Sequence, residues 1–278
     1  MTNVRFLWDS SGFDSAAITA SAEVAGWPVA NLQHPQPAKA WKCPSGEGSV
    51  TVSFDEKEMV TALALVGHNL KVGSTVTLRA YADNHMTEVF SQTFDVVQPI
   101  YTPAELRPCD SSPLGYPFED DFEFFPCNTA VFFLDKTLFQ WAFKVEINNG
   151  ANPFHVGRML LCKHFEPRRN VSHGWSDSMT DDSRIERSIG GQAYVDEHRR
   201  RRIFSFSLKY LTQGEVYGPL AKIRSYCGVS RPLIVSLTPD KAILRERTSI
   251  YCRMKTTPPV VCDNPGNYSA NFTIEEVL

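Results

Sequence analysis

Apolar and polar residues alternate with a period of two in several segments of the chain. The clearest examples are residues 49–54, 75–81 and 203–210. Because successive side chains of a strand point to opposite faces of a sheet, this alternation predicts strands that are buried on one face. More continuous apolar runs, separated by Gly, Pro and Asn, occupy residues 131–134, 141–147 and 159–162. Short strands with turn residues between them are typical of a sandwich, so we predict a mainly β fold.

One segment, over about residues 213–227, predicts a packed α-helix. Thr212 is suited to cap its first turn, and Glu215 follows three residues later, as in a capping box. Four apolar residues recur on one helical face: Val216, Leu220, Ile223 and Cys227. Gly228 follows as a stop signal, and Pro219 falls within the first turns, where a proline costs least.

The length of 278 residues allows roughly two modest domains. Residues 165–183 are polar, contain Pro and Gly and lack periodicity, as expected of a connection between two cores. We therefore predict a first domain over residues 1–168 and a second over residues 169–278. Residues 98–127 are rich in proline, acidic residues and aromatics, and predict a long loop inserted in the first domain. Loops of this length are usually functional or lie at an interface.

Composition and charge narrow the choice of partners. The chain is 42% hydrophobic and 12% aromatic, which is enough apolar surface for a folded core. Its 28 basic and 31 acidic residues give a net charge of −3, and this balance produces no overall field that attracts a polyanion. We expect no specific nucleic-acid binding. No stretch approaches the roughly 18 apolar residues that span a bilayer, so we also expect no membrane-spanning segment.

The seven cysteines and the amino terminus bear on the compartment. The cysteines are odd in number and irregularly spaced, which predicts reduced, mostly buried thiols rather than a disulfide framework or a zinc site. The amino terminus lacks the basic, apolar and cleavage-site pattern of a signal peptide. We therefore expect synthesis in the cytoplasm without export by such a signal.

Motifs for catalysis are absent from the sequence. There is no Gly-x-Ser-x-Gly elbow, no His-Glu-x-x-His helix and no Gly-rich phosphate loop. We expect no enzyme activity, no catalytic residue, no metal site and no cofactor. His68 and His164 lack a second ligand at a metal-like spacing and are expected to be hydrogen-bonded structural residues. A hydrolase that uses Asp120 and Glu123 as paired carboxylates is a further alternative.

Two clusters of opposite charge are candidates for an interface between subunits. The acidic cluster consists of Glu119, Asp120, Asp121 and Glu123. It lacks the regular spacing of a calcium loop and predicts a loop that faces solvent or a partner. The basic cluster consists of Arg199, Arg200, Arg201 and Arg202. Because it leads directly into the strand at 203, its side chains should alternate between faces. We expect these arginines to pair with carboxylates across subunits, with a solvated face or nucleic-acid contact as alternatives.

Five short segments in the first part of the chain follow one another in a characteristic order. These are residues 26–32, Ala40-Trp41-Lys42, the strand at 49–54, the Gly-His-Asn-Leu turn within residues 63–70, and residues 76–81. With a late strand pair at 141–147 and 155–163, this order resembles the galactose-binding-like (discoidin-type) jelly rolls of bacteriophage structural proteins, over about residues 8–165. The resemblance implies an N-terminal jelly-roll β-sandwich. If this sandwich is a carbohydrate-binding module, exposed aromatics such as Trp41 or Tyr116 would stack on sugars; the alternative for Trp41 is a place in the core.

The rest of the chain is similar to distal tail and related baseplate proteins of long-tailed phages. The similarity rests on residues 188–194, the strand at 203–210, the helix, residues 231–240 and the closing strand at 268–277. It implies a second, tail-ring-like β-sandwich with one packed helix, and a virion protein at the tail tip. Such a protein forms a homo-oligomeric ring, commonly a hexamer, between the tail-tube protein and the baseplate hub with its receptor-binding apparatus. The alternative function is a carbohydrate-binding module that attaches the particle to host-surface glycans.

Overall fold

The computed structural model describes residues 3–82, 87–96, 129–240 and 242–278. Strands make up 53% of the structure and helices 12%, so the predicted mainly β fold is confirmed. The predicted inserted loop at residues 98–127 lies outside the described residues.

The elements have the following bounds in chain order. The strands are β1 (Arg5–Leu7), β2 (Ala17–Ala20), β3 (Trp41–Cys43), β4 (Glu47–Val66), β5 (Thr75–Tyr81), β6 (Glu88–Asp95), β7 (Thr129–Asn148), β8 (Phe154–Val156), β9 (Arg158–Cys162), β10 (His164–Phe165), β11 (Ser176–Thr180), β12 (Arg184–Arg187), β13 (Ala193–Asp196), β14 (Arg201–Leu211), β15 (Leu233–Ser236), β16 (Ser249–Met254), β17 (Val260–Asn264) and β18 (Asn267–Glu276). The helical pieces are Ser11–Ser15, a 3-10 helix at Val29–Gln33, the consecutive pieces Gln213–Glu215, Val216–Leu220 and Ala221–Tyr226, and Ala242–Thr248.

The chain divides into two compact units. Unit 1 contains Met1–Pro167 and Leu233–Tyr251, and unit 2 contains Arg168–Pro232 and Cys252–Leu278. The units therefore differ from two continuous domains, because residues 233–251 were predicted in the second domain and belong to unit 1. The physical reason is that β15 pairs with β1 near the amino terminus. Local patterns in the sequence carry no trace of a pairing between such distant segments.

Two long strands organise unit 1. β4 and β7 have 20 residues each and pair with each other from Glu47 opposite Asn148 to Val66 opposite Thr129. Shifts of register interrupt this pairing between residues 53 and 62 of β4. On one side of the interruption β4 also pairs with β2, and β7 also pairs with β5. On the other side β4 pairs with β9. Because bulges mark a change in a strand, the two halves of β4 and β7 have different neighbours within one six-stranded sheet.

The two halves of β4 show why their sequences look different. In the first half Val50, Val52 and Phe54 are buried, and the residues between them are not. In the second half every residue from Ala62 to Val66 is buried. Alternation therefore marks a strand with one solvent-exposed face, and the continuous apolar run marks a strand that is covered on both faces.

A short two-stranded ribbon, formed by β3 and β8, closes one part of unit 1. Lys42 lies opposite His155, while the flanking residues pair as Trp41 with Val156 and Cys43 with Phe154. The four flanking side chains are buried, and Lys42 and His155 are not. Directly opposite residues share a face, so the ribbon turns one apolar face to the core and one polar face outward.

Unit 2 is built on β14, which pairs with β11 on one side and β18 on the other. β17 and the end of β16 pair with β18. Phe204, Phe206 and Leu208 of β14 are buried, and they lie opposite Ile274, Phe272 and Ala270 of β18. The alternation is therefore confirmed as a half-buried strand up to Leu208. It ends before Tyr210, which is exposed at a shift of register.

The predicted helix of unit 2 is confirmed together with its cap. The Thr212 hydroxyl accepts a hydrogen bond from the Glu215 backbone, and the Glu215 carboxylate accepts one from the Thr212 backbone at 2.8 Å. The four residues predicted on its inner face are buried: Val216, Leu220, Ile223 and Cys227. The helix is not regular, because Gly218 departs from helical angles before Pro219 and the turn Val216–Leu220 is a wider π turn.

We predict that Gly157→Ala destabilises unit 1. A Cβ at Gly157 would lie 2.4 Å from the Pro37 carbonyl oxygen and 2.9 Å from its Cα, so backbone would have to move. Overpacking of this kind costs about 1–3 kcal/mol. Urea denaturation followed by circular dichroism measures the loss. Gly214→Ala is the control, because a Cβ at Gly214 meets nothing within 4 Å. Equal stability of the two variants would contradict the prediction.

Candidate functional site

The arginine cluster finds carboxylate partners within unit 2. Arg200 pairs with Asp181 at 3.0 Å, and Arg201 pairs with both Asp182 and Glu275. Arg199 is exposed. The predicted pairing with carboxylates therefore occurs inside the chain for Arg200 and Arg201, while pairing across subunits stays a prediction.

Arg202 corrects the prediction of an inter-subunit contact. Its guanidinium is 2% exposed and bonds the Glu276 carboxylate from both Nη2, at 2.7 Å, and Nε, at 3.1 Å. Its backbone N–H donates to the same carboxylate at 3.1 Å. The predicted alternation of faces explains this difference, because the strand turns every second residue inward and Arg202 falls on the buried face. This guanidinium is not available to another subunit.

The predicted sugar-stacking residues do not form a site in the described part of the chain. Tyr116 and the acidic cluster Glu119, Asp120, Asp121 and Glu123 lie outside the described residues. Trp41 is 0% exposed, its Nε1 donates to the Ala22 carbonyl at 3.2 Å, and its ring meets Phe154 edge to face. The structure corrects the sugar contact at Trp41 and confirms the alternative, because both faces of the indole are in the core.

The two histidines singled out in the sequence have the predicted structural role. The buried His68 accepts a hydrogen bond from the Leu70 backbone at 3.3 Å, and burial lowers its pKa to about 4. His164 bonds the Thr61 hydroxyl at 2.7 Å, and burial lowers its pKa as well. Within the described ranges, no group of three or more His, Cys, Asp and Glu residues could hold a metal ion.

The described cysteines are all free thiols. Four of the five are buried, as predicted, and Cys262 is exposed. Cys109 and Cys127 lie outside the described residues.

In the part of the chain that the structure describes, no helix is both long and apolar enough to cross a membrane.

A second tryptophan, Trp27, lies in a tight turn of unit 1. The Trp27 N–H donates to the Val24 carbonyl at 2.9 Å, and Gly26 between them has a φ of +83°, which favours glycine. The turn is attached to β3 in both directions, because the Val24 N–H donates to the Lys42 carbonyl and the Lys42 N–H donates to the Trp27 carbonyl. Trp27 is half-buried, so its backbone is fixed while part of the indole reaches solvent.

The outer face of the β3–β8 ribbon supplies polar groups beside this indole. The Lys42 ammonium lies 3.6 Å from the centroid of the Trp27 ring. His155 is directly opposite Lys42 on the ribbon, and its backbone N–H donates to the Asn69 side chain at 2.7 Å. We call this group, Trp27, Lys42, His155 and Asn69, the indole corner.

The protonation state of the corner follows from its surroundings. Burial lowers the pKa of His155, and the positive charge of Lys42 lowers it further. His155 is therefore neutral at pH 7, and its ring offers one hydrogen-bond donor and one acceptor. Together with the Lys42 ammonium and the Asn69 amide, the corner combines an aromatic face with both donors and acceptors.

A polar groove lies on the outer face of the larger sheet of unit 1. It encloses about 530 Å³, and its lining residues include Ser21, Glu47, Ser49, Thr75, Thr77, Lys144, Glu146 and Asn148. Glu146 bonds Lys144 at 2.8 Å and Arg79 at 3.0 Å, so these two charges of the groove are already paired. None of the described residues that line this groove is aromatic. The indole corner is the better candidate site because it offers an aromatic ring.

The two tryptophans differ in their local sequence. Trp41 stands in the order apolar, polar, apolar with Lys42 and Cys43, and that order indicates that Trp41 and Cys43 share the buried face. Trp27 follows a glycine and precedes a proline, which is the setting of a turn rather than of a core strand. A tryptophan in such a turn is the signal in the sequence for an indole that is not fully buried.

Among known proteins, the chain is similar to several solved structures. No protein-family model matches the chain, and no curated protein matches it. The lectin domain of lectinolysin in complex with Lewis B antigen has a TM-score of 0.38 at 12% identity, over 55% of this chain and 97% of that domain. The family 32 carbohydrate-binding module from C. perfringens NanJ, in complex with galactose, has a TM-score of 0.37 at 12% identity, over 58% of this chain and 99% of that module.

A larger enzyme is similar over part of its length. The GH29 fucosidase from Ruminococcus gnavus has a TM-score of 0.39 at 6% identity, over 57% of this chain, and this chain spans 28% of that enzyme. Similarity of this size, with TM-scores below 0.5, defines neither a family nor a ligand. What the chain's own geometry defines is a mainly β protein of two compact units, with the half-buried Trp27 and its polar neighbours on unit 1.

We predict that Glu276→Gln strongly destabilises the protein. Removing the carboxylate charge leaves the buried Arg202 guanidinium uncompensated, and breaking a buried pair on one side costs about 3–5 kcal/mol. Chemical denaturation of each variant measures this. The double variant Arg202→Met/Glu276→Leu should recover most of the loss, since it removes both charges. Arg200→Ala, in an exposed pair, should change stability little. If Glu276→Gln behaved like Arg200→Ala, the account of the buried pair would be wrong.

Proposed function

We propose that unit 1 is a carbohydrate-binding module and that the indole corner is its binding site. The observation that carries the proposal is the half-buried Trp27 ring in contact with the Lys42 ammonium, with His155 opposite Lys42 on the ribbon. A pyranose has an apolar C–H face and a rim of hydroxyls. An aromatic ring with polar groups at its edge matches both parts of such a ligand.

The polar groups match the rim of a sugar because they offer both kinds of hydrogen bond. A hydroxyl donates one hydrogen bond and accepts others, so it is best bound by a donor and an acceptor together. The Lys42 ammonium donates only, whereas the neutral His155 ring does both. Burial lowers the pKa of His155, and this keeps the acceptor present at neutral pH.

The Lys42 ammonium now occupies one face of the indole, 3.6 Å from the ring centroid. A cation–π contact at an exposed site is worth about 0.5–1 kcal/mol. A sugar ring that stacks on Trp27 can displace the ammonium at this cost, and the ammonium then donates to hydroxyls at the rim. Lys42 thus covers the indole when no sugar is bound.

We predict that the full chain binds pyranose-containing glycans and that Trp27→Ala weakens this binding about tenfold or more. An aromatic stack contributes about 0.5–1.5 kcal/mol beyond the area that it buries, and 1.4 kcal/mol corresponds to tenfold. An array of immobilised glycans identifies the bound sugars, and titration with the best monosaccharide gives the affinity. His155→Ala should also weaken binding.

The control for this experiment is Phe139→Ala, which removes an aromatic side chain of unit 1 that is 58% exposed and lies outside the corner. It should bind the same glycans with the same affinity. Circular dichroism shows that each variant is folded. Silence of the unchanged protein on the array, or full binding by Trp27→Ala, would refute the proposal.

A second function is a structural subunit of a phage tail tip, and one observation favours it. β11 is an end strand whose other edge pairs with no strand among the described residues, and the exposed hairpin β12–β13 follows it directly. Unpaired edges and exposed hairpins are surfaces through which subunits join. The proposal is a ring, commonly of six copies, in the virion between the tail-tube protein and the baseplate hub. Electron microscopy of the purified protein should show closed rings, and a uniform population of monomers would speak against it.

A further inference from the structure

The hairpin β12–β13 of unit 2 is exposed to solvent along its whole length. We call residues 184–196 the arm. Every residue of the arm is exposed, among them Ile185 at 63% and Val195 at 61%. A two-stranded hairpin alone is marginally stable in water. The arm therefore gains stability from any surface that covers its apolar side chains.

The two faces of the arm differ in character. Ile185 lies opposite Val195, and Arg187 lies opposite Ala193. Because opposite residues share a face and alternate residues lie on the same face, these four form one face that is apolar except for a single cation. The opposite face is polar, with Arg184, Glu186, Tyr194 and Asp196. The turn at the tip, closed by bonds between Ser188 and Gln192, presents the exposed Ile189.

An uncovered apolar surface lies on the end strand of the same unit. Asp177 is opposite Phe204 and Met179 is opposite Arg202, so these side chains share the buried face of β14. Trp175, two residues before Asp177, meets the Phe204 ring edge to face at 6.4 Å. Yet Trp175 is 47% and Met179 is 54% exposed. We call Trp175, Asp177 and Met179 the edge face; it is the part of the core-side surface that nothing in unit 2 covers fully.

We propose that the arm of one copy of this chain docks on the edge face of a second copy, with Arg187 pairing with Asp177. The edge face has the order apolar, acidic, apolar at every second residue. The arm has the order apolar, basic, apolar at the same spacing along the sequence, in Ile185 and Arg187 of β12 and Ile189 of the tip turn. The two surfaces are therefore complementary both in hydrophobicity and in charge.

The surroundings of Asp177 agree with a missing cation. Burial raises the pKa of this carboxyl, and the nearby Glu276 raises it further, while Arg202 opposes them. The Arg202 guanidinium is already bonded to Glu276. A guanidinium from outside would compensate the negative charge of Asp177.

The arm does not cover the edge face of its own chain in this structure, since Trp175 and Met179 stay 47% and 54% exposed. Residues 181–183, which connect β11 to the arm, fix its base: Asp181 accepts from the Ser183 backbone and pairs with Arg200, and Ser183 accepts from the His198 backbone at 3.0 Å. Folding the arm back onto its own chain would break these bonds, whereas docking on a second copy would leave them intact.

Because the arm and the edge face are different surfaces, each copy can offer both at once. Contacts of this kind are heterologous, and they close into rings or continue as filaments. The inference concerns unit 2 and does not depend on carbohydrate binding by unit 1.

The test is a charge exchange in the full-length chain. Sedimentation velocity at increasing protein concentration should show self-association of the unchanged protein. Arg187→Glu and Asp177→Arg should each raise the dissociation constant about tenfold or more, because each places like charges together. The double variant Arg187→Glu/Asp177→Arg should restore association, since the pair is re-formed with its signs exchanged.

The matched control is Arg184→Gln beside Arg187→Gln. Both remove one arginine charge from the arm, but Arg184 lies on the polar face and should leave association unchanged. Circular dichroism confirms that the variants fold. A protein that stays monomeric at all concentrations, or a double variant no better than the single ones, would overturn the proposal.

Discussion

The pairing of β4 with β7 is the constraint on which unit 1 depends. β4 also pairs with β2 and β9, and β7 also pairs with β5, so the register of one pairing sets the position of all three neighbours at the same time. A shift by one residue would turn Val50, Val52 and Phe54 to solvent. The interruptions of register are therefore part of the fold, since they separate a half-exposed stretch from one that is covered on both faces.

The role of a charged residue in this protein depends on whether it is buried. The net charge of −3 does not reveal that neighbouring residues of the arginine cluster have different roles. Arg202 is buried and paired with Glu276, while Arg200 and Arg201 pair with the exposed carboxylates of Asp181 and Asp182. Adjacent arginines differ in this way because a strand sends consecutive side chains to opposite faces.

The sequence predicted those features that depend on neighbours along the chain. The capping box at Thr212 and the alternation at 203–210 are local, and both are present. The pairing of β1 with β15 and the partner of Arg202 are not local, since Glu276 lies far along the chain from the arginine it binds. The candidate site shows the same division. The alternation around Lys42 indicates that Trp41 is buried, whereas the approach of Lys42 to Trp27 depends on how a turn packs against a ribbon.

The discontinuity of unit 1 has a consequence for biosynthesis. β1 leaves the ribosome before its neighbour β15, which is made only after residues 168–232. Contacts between distant segments require closure of a long loop, and they form slowly. One edge of β1 therefore lacks its final partner while most of unit 2 is translated. Unpaired strand edges of this kind make a nascent chain prone to aggregation, and chaperones counter that tendency.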